Sequence, residues 1–368
     1  MEYVQERIGT FHDYGGADPS APVDQATVVV PLAERDQGSP ATEGVLETLE
    51  SVDPGRVLVP LRASESTVAE VTAWLESFAL DLTVLWCTAP EVESLLAEYG
   101  LAGAAGKGRD VWLGLGIAGQ SPYVAVHDAD ALTYDDRHVP KLLSPLADGY
   151  EFTKGYYARV EDEQLYGRLF RLFYAPLVSA LREHSTADFV TYLDSFRYAL
   201  AGEFAVTGDL AHSIRAPRGW GLELGTLGGA FDYAGFADSA QVDLGIHEHE
   251  HRSVEGSGGL GEMCNEVAAT LFTVVEEHGV DIEYDRLRES YREHADRLVR
   301  QYAGDAAFND FAYDPEQERE QVDTYAPSID PPGDDDRLPT WRATSLDPEA
   351  VAERSEAALD ERRSGHNF

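Results

Sequence analysis

The sequence predicts an α/β fold with a mostly parallel central sheet flanked by helices. Three observations carry that prediction. Short continuous apolar runs recur through the first half of the chain, as strands buried on both faces require. Segments with helical spacing of apolar residues separate them, and this alternation predicts a parallel sheet covered on both sides. Acidic residues also gather where an apolar run ends, and ligands of such sheets bind at the carboxyl ends of strands.

In chain order, residues 26–32 (ATVVVPL) read as the first strand and 43–49 as a helix. RVLVPL (56–61) is a second strand, followed by helical spacing over 68–78. LTVLW (82–86) is a third strand, and 91–98 is helical. The Gly/Ala loop 102–106 opens a helix over 107–117, and YVAVHD (123–128) is the fourth strand. Beyond residue 150 the pattern changes: a strand over 151–160, a Leu/Phe/Tyr-rich helix over 163–182, a Gly turn at 219–221 and a strand over 241–246. Amphipathic helices are expected over 260–278 and 284–302, offering apolar faces to the core or to a homodimer partner. From about 305 the chain is acidic and Pro-bearing, expected to wrap the surface or remain partly mobile, with a last helix over 348–363. The expected division is a core over 1–235, a completing strand, loop and helices over 236–304, and an acidic tail over 305–368.

At 368 residues the chain is long enough for one large domain or two ordinary ones. Its 67 acidic residues outnumber 28 basic ones, a formal charge of −39 that argues against nucleic-acid or anionic-membrane partners. Lysine occurs only at Lys107, Lys141 and Lys154; every other side-chain cation apart from histidine is arginine. An acid-coated, lysine-poor surface predicts a high-salt cytoplasm, where screening makes self-repulsion cheap. Cys87 and Cys264 lie far apart in apolar contexts and read as buried packing residues. Neither a signal peptide nor an apolar stretch of about 18 residues is evident, so no membrane span is expected.

Several constellations carry chemistry. Asp128-Ala129-Asp130 directly follows an apolar strand, and two carboxylates flanking a small residue suit a hard divalent cation and the diphosphate it neutralises. In so acidic a chain the plainer reading is a solvated loop. Glu34 ends the first strand, where a carboxylate reaches a base or ribose or simply caps a helix. Lys107 stands between two glycines at a helix start, suited to a phosphate or uracil oxygen, although the P-loop frame is absent. His247, His249 and His251 alternate after a strand and share a face, as ligands of a Mn²⁺- or Zn²⁺-type ion would. Glu223 follows a Gly-Trp-Gly turn at a helix start, aimed at a sugar hydroxyl or favoured by the helix dipole. Arg159, Arg168 and Arg171 form a cluster suited to an anionic acceptor or to ion pairs with surface acids.

Taken in order, VVVPLAE (28–34), GKGRDVW (106–112), VHDAD (126–130), TKGYYAR (153–159), YGRL (166–169), AGEFA (201–205), GWGLELG (219–225), QVDLG (241–245) and GLGEM (259–263) are similar to the glucosyl-3-phosphoglycerate synthases. These are retaining glycosyltransferases of the GT-A fold. The resemblance implies a metal-dependent transfer of glucose from UDP-glucose to 3-phosphoglycerate, a step toward a compatible solute. It implies that Pro31, Leu32 and Glu34 line the uridine pocket, that Lys107 contacts the nucleotide and Asp128 its ribose or base, and that Glu223 contacts the donor sugar. Asp130 and His249, with Asp128 beside them, would hold Mg²⁺ or Mn²⁺, Asp130 and Glu223 being the catalytic pair. Gly167 and Arg168 match the loop that holds the acceptor phosphate, with His251 beyond the metal histidine. Attack on the sugar from the side the leaving group vacates is likewise an implication of the family.

The chain departs from the family on the acceptor side. Its Tyr166-Gly167-Arg168-Leu169-Phe170 stands where the family has Gly-Gly-Arg-Val-Thr, and Glu250-His251 where it has Arg-Asn. The acceptor expected is a small anion, either 3-phosphoglycerate held differently or some other molecule. The rivals are a GDP-mannose-dependent or lipid-phosphate-using transferase of the same fold, and a non-catalytic nucleotide-sugar binder. A pyrophosphorylase needs a Gly-rich basic loop after the first strand, which VPLAERDQG lacks.

Overall fold

A computed structural model describes residues 5–249 and 259–365. The first half builds β1 (Gly9–Phe11), β2 (Ala26–Val29), β3 (Leu32–Ala33), α1 (Pro40–Val52), β4 (Arg56–Arg62), α2 (Val68–Leu75), β5 (Leu82–Trp86), α3 (Pro90–Glu98), α4 (Lys107–Ala118) and β6 (Tyr123–Val126). The local signals are the expected ones: Pro40 sits in the first turn of α1, and the Ser39 hydroxyl accepts the Thr42 N–H at 3.4 Å.

The chain continues through α5 (His138–Ala147), β7 (Phe152–Ala158), a hairpin of β8 (Val160–Glu161) and β9 (Gln164–Leu165), and a wide π-type turn at Leu169–Tyr174 that runs into α6 (Ala175–His184). Then come α7 (Asp188–Leu193), β10 (Phe204–Thr207), α8 (Gly208–Ala211), α9 (Leu222–Tyr233) and β11 (Ser239–Ile246). The last elements are α10 (Gly259–Glu277), α11 (Tyr284–Phe308), α12 (Pro315–Tyr325) and α13 (Pro348–Gly365).

The main sheet runs β1-β11-β7-β10-β6-β2-β4-β5, with β3 continuing beside β4. Every pairing in it is parallel except those of β10, which lies antiparallel between β6 and β7. The sheet is therefore mixed. Helix α4 packs on β2 and β4, and α5 on β6, β7, β10 and β11. The segments 1–235, 236–304 and 305–368 share one hydrophobic core. Cys87 and Cys264 are buried and free, as expected. Among the described residues no helix is long and apolar enough to cross a membrane.

Four expectations need correction. The strand over 26–32 is broken after Val29, since Pro31 lacks the N–H a ladder needs. Its two pieces keep one register on β4, Thr27 opposite Arg56 and Leu32 opposite Leu61. The strand over 151–160 ends at Ala158. The helix over 163–182 begins only at Leu169: Asp162 and Glu163 take positive φ values of 46° and 57°, closing a two-residue hairpin turn. The segment beyond 305 is not a surface wrap. Trp341 stacks on Trp112 at 4.2 Å and donates its indole N–H to the Trp112 carbonyl at 2.7 Å, while Trp112 donates to the Pro339 carbonyl at 2.8 Å. The Ser355 hydroxyl of α13 accepts the Trp86 N–H of edge strand β5 at 2.7 Å, capping a donor the sheet leaves unpaired. The apolar faces of α10 and α11 pack on α9, α6 and α12, the core-packing alternative.

Candidate functional site

Strands β2 and β6 are parallel neighbours, Val29 opposite Val126, so the segments that follow them leave the sheet side by side. The His127 N–H donates to the Val29 carbonyl at 3.1 Å and keeps the two exits together. Asp128 then accepts from Lys107 Nζ at 2.5 Å. Burial opposes the Lys107 charge, but Asp128, Glu223 and Asp130 outweigh it and raise the ammonium above its ordinary range.

Gly106 and Gly108 flank Lys107 for a steric reason. A Cβ on Gly108 would lie 2.1 Å from the Pro217 carbonyl oxygen, and one on Gly106 2.4 Å from that of Arg218. The N–H groups of Gly108 and Arg109 donate to the carbonyls of Gly219 and Arg218 at 3.2 and 3.0 Å. This docking carries the chain into α9, whose first turn holds Glu223 within electrostatic reach of Lys107 and Lys154. Pro31 is half-buried and Leu32 buried at the exit of β2. Glu34 is exposed and turned toward the start of α2: its carboxylate accepts the Ser64 N–H at 2.8 Å and the Thr67 hydroxyl, which hold its pKa below the ordinary range.

His249 comes to Asp128 and Asp130 through a zipper between two loops. Ala131 and His249 form an antiparallel bridge, Leu132 N–H donates to the Glu248 carbonyl at 2.8 Å, and Glu248 N–H donates to the Thr133 hydroxyl at 3.1 Å. The His249 N–H also donates to Glu161 at 3.0 Å. One ligand atom from each of Asp128, Asp130 and His249 lies within 4.8 Å of the others, with His249 Nε2 3.8 Å from Asp130 Oδ1. The donor set fits a divalent cation of the Mg²⁺ or Mn²⁺ kind, two carboxylates with an imidazole. Its recessed position and then the Asp128 carboxylate push the Asp130 carboxyl up, a crowding of like charge that a cation relieves. Burial and the Arg159 guanidinium lower the His249 pKa, leaving the neutral imidazole that ligation requires.

After β9, Gly167 and Arg168 form a turn. Arg168 Nε and Arg171 donate to the two carboxylate oxygens of Glu318 on α12, at 2.9 and 2.8 Å. Phe170 stacks on Tyr198 at 4.5 Å. His251, expected on the acceptor side, lies outside the described residues, as does Glu250.

Two buried groups here, Glu203 and Lys154, received no role from the sequence, and His247, a candidate ligand by its alternation, stays outside the group of Asp128, Asp130 and His249. Glu203 is 1 % exposed and neither carboxylate oxygen has a hydrogen-bond partner among the described residues. Burial and then Asp128 raise its pKa, and His247 Nε2 lies 3.8 Å away. The His247 ring stacks on Tyr157 at 4.1 Å and meets His249 edge-on at 4.4 Å, so it backs the candidate ligand. Lys154 is buried and donates to the Ala201 carbonyl at 2.5 Å; burial lowers its pKa to about 8. A signal was present for each: TKGYYAR holds Lys154, AGEFA holds Glu203, and the alternation of histidines includes His247.

No protein-family model matches the chain. Among curated proteins, it is 33% identical to glucosyl-3-phosphoglycerate synthase of Methanococcoides burtonii over 98% of each chain. Among solved structures, glucosyl-3-phosphoglycerate synthase of Mycobacterium tuberculosis in complex with Mn²⁺, UDP-glucose and phosphoglyceric acid matches with a TM-score of 0.54 at 23% identity, covering 75% of this chain and 89% of that one. The same enzyme with Mg²⁺ and UDP matches with a TM-score of 0.54 at 24% identity, over 75% and 88%. The shared architecture is the GT-A fold, a mixed sheet with parallel strands delivering the acidic loop after β6. With identity of 33% sustained over 98% of both chains, this chain belongs to the glucosyl-3-phosphoglycerate synthase family.

Proposed function

We propose that the chain transfers glucose from UDP-glucose to 3-phosphoglycerate, with retention at the anomeric carbon and with bound Mg²⁺ or Mn²⁺. The observation that carries this reading is the meeting of Asp128, Asp130 and His249 beside Lys107 at the carboxyl end of β6, in a chain of this family. Asp128, Asp130 and His249 would hold the metal, which when bound offsets charge on the departing nucleoside diphosphate.

The rest falls to the chain's own side chains. Pro31, Leu32 and Glu34 line the uridine side, and Lys107 neutralises the nucleotide while fixing Asp128. Glu223 orients the donor sugar from the first turn of α9. The acceptor lies against the Gly167–Arg168 turn, with His251 a further acceptor residue by family position, and its hydroxyl attacks from the face the leaving group vacates. The acid-rich, lysine-poor composition supports a haloarchaeal-type member at work in a high-salt cytoplasm.

Calorimetric titration of UDP-glucose and GDP-mannose at molar KCl, with Mn²⁺ and with EDTA, tests the donor. Metal-dependent binding of UDP-glucose alone is expected. Asp130→Ala and His249→Ala should each abolish metal-dependent turnover while the protein stays folded. Normal activity in either variant, or donor binding indifferent to EDTA, would refute the metal assignment; preference for GDP-mannose would refute the sugar nucleotide.

A further inference from the structure

We propose that Arg159 supplies the positive charge that grips the acceptor's anionic group, while Arg168 holds the turn against which the acceptor rests. The inference rests on the transferase reading above and names a specificity-determining residue within it.

Arg168 is already engaged. Its Nε donates to Glu318 at 2.9 Å and one terminal nitrogen to Gln317 at 2.9 Å. The same Glu318 carboxylate is clamped by Arg171 at 2.8 Å and is 3 % exposed. Arg171 also donates to the carbonyls of Tyr166 and Leu165 at 2.8 and 3.1 Å, so this pair ties α12 to the turn. Withdrawing one partner from a buried pair is strongly unfavourable, so Glu318 stays with Arg171; the single carboxylate does not cancel two guanidiniums, but Arg168 keeps its Nε and one terminal nitrogen committed to α12.

Arg159 is placed differently. It follows β7 directly, and its carbonyl accepts the Tyr166 N–H at 2.9 Å, which sets it under the same turn. A Cβ on Gly167 would lie 3.7 Å from Arg159 Cδ. Its nearest carboxylate among the described residues, Glu161, is 4.0 Å away, and that carboxylate accepts the backbone N–H of His249 at 3.0 Å. Arg159 Nε is buried without a hydrogen-bond partner among the described residues. Its charge reaches both His247 and His249. The guanidinium therefore stands between the Gly167 turn and the histidine loop. An acceptor there would place its hydroxyl toward the side of Asp128, Asp130 and His249 and its anion on the fork of the guanidinium, a geometry matched to phosphate or carboxylate.

This arrangement also accounts for Phe170. Where the family carries a threonine hydroxyl, the Phe170 ring stacks on Tyr198 at 4.5 Å, and Tyr198 stands within electrostatic reach of Arg159. A polar contact to the acceptor is exchanged for a stack that steadies the arginine making another. The ligand class is a small hydroxy acid bearing phosphate or carboxylate.

The test is Arg159→Gln in the full chain, with KM measured separately for 3-phosphoglycerate and UDP-glucose, and 3-phosphoglycerate binding measured by calorimetry without metal or donor. Losing a charge-assisted bidentate contact should raise the acceptor KM and weaken metal-free acceptor binding by about 10- to 100-fold. The donor KM should stay within about threefold. Arg159→Lys keeps the charge without the fork and should fall between; it carries the test if Arg159→Gln fails to fold. A purely structural role would instead lower the melting temperature and disturb both substrates together. Acceptor binding within about threefold of the parent in both variants overturns the inference and leaves the transferase reading standing. A parent protein that neither binds nor glucosylates 3-phosphoglycerate overturns the reading, and this inference with it.

Discussion

Gly202→Ala should disable the donor site through a single methyl group. An ideal Cβ at Gly202 lies 2.3 Å from Asp128 Oδ2, 2.6 Å from Cγ and 2.9 Å from Oδ1. Gly202 does not have positive φ, so alanine meets no backbone strain there, and the smaller unfolded-state entropy would by itself stabilise by about 0.4–1 kcal/mol. The steric conflict is with the carboxylate, which must retreat by about 1 Å to reach ordinary contact. Asp128 is also the partner of Lys107 at 2.5 Å and one of the three grouped ligands, so both contacts shift with it. A misplacement of about 1 Å costs on the order of 100-fold in rate, about 3 kcal/mol of transition-state stabilisation. The assay is kcat/KM for UDP-glucose, calorimetric binding of UDP with Mn²⁺, and a thermal melt. A fall of about 100-fold with an unchanged melting temperature is expected. A kcat/KM within about threefold of the parent would refute the reasoning, since it would mean that the Asp128 position against Gly202 does not matter.

Three further outcomes follow from the packing and charge. Trp341→Ala removes a 5 % exposed indole stacked on Trp112 and should destabilise by about 3–5 kcal/mol in denaturant titration; a loss under about 1 kcal/mol would mean the C-terminal segment is dispensable to the core. Asp13→Asn tests a buried attachment: the Lys141 ammonium at 2.7 Å and then backbone N–H groups of the 15–17 turn hold the Asp13 carboxyl well below the usual carboxylate range. A lowered folded pKa contributes stability that is full above the unfolded value near 4 and is lost as pH falls toward the folded one. The variant should therefore be less stable than the parent at neutral pH, with the gap closing in acid, and a gap independent of pH would sink the assignment. With a formal charge of −39, the melting temperature should rise between about 0.1 and 2 M KCl as the Debye length falls from about 10 Å to below 3 Å; a flat response would remove the high-salt reading.

The parallel strands β2, β4, β5 and β6 were legible because each is a short apolar run bounded by turn residues, and LTVLW coincides with β5 (Leu82–Trp86); β1, three residues long, was not anticipated. Strand β10 escaped notice because Phe204–Thr207 is four residues long and its antiparallel direction is set by neighbours far away in sequence. The hairpin at Asp162–Glu163 was hidden because acidic residues there lack the Asn-Gly signature of such turns. Asp128 and Asp130 could be named in advance from a strand end; the histidine alternation left three candidates, and the family resemblance pointed to His249, which the structure brings to the two aspartates. That Arg168 is paired could not be read, because Glu318 lies 150 positions away in a segment whose acidity suggested solvent rather than core.

The three lysines have a practical bearing on chemical labelling. Lys141 and Lys154 are 5 % and 1 % exposed, and surface side-chain cations other than histidine are arginines, which acylating reagents leave alone. The Lys107 side chain is 23% exposed and sits on Asp128. In the folded protein an amine-reactive dye thus has one accessible lysine, and a nucleotide seated on it would shield that amine. Dye uptake at Lys107, slowed because Asp128 keeps the amine protonated, then tracks occupancy of the pocket at raised pH, whereas uptake at Lys141 and Lys154 tracks opening of the whole molecule, two separate clocks in one native chain without an engineered tag.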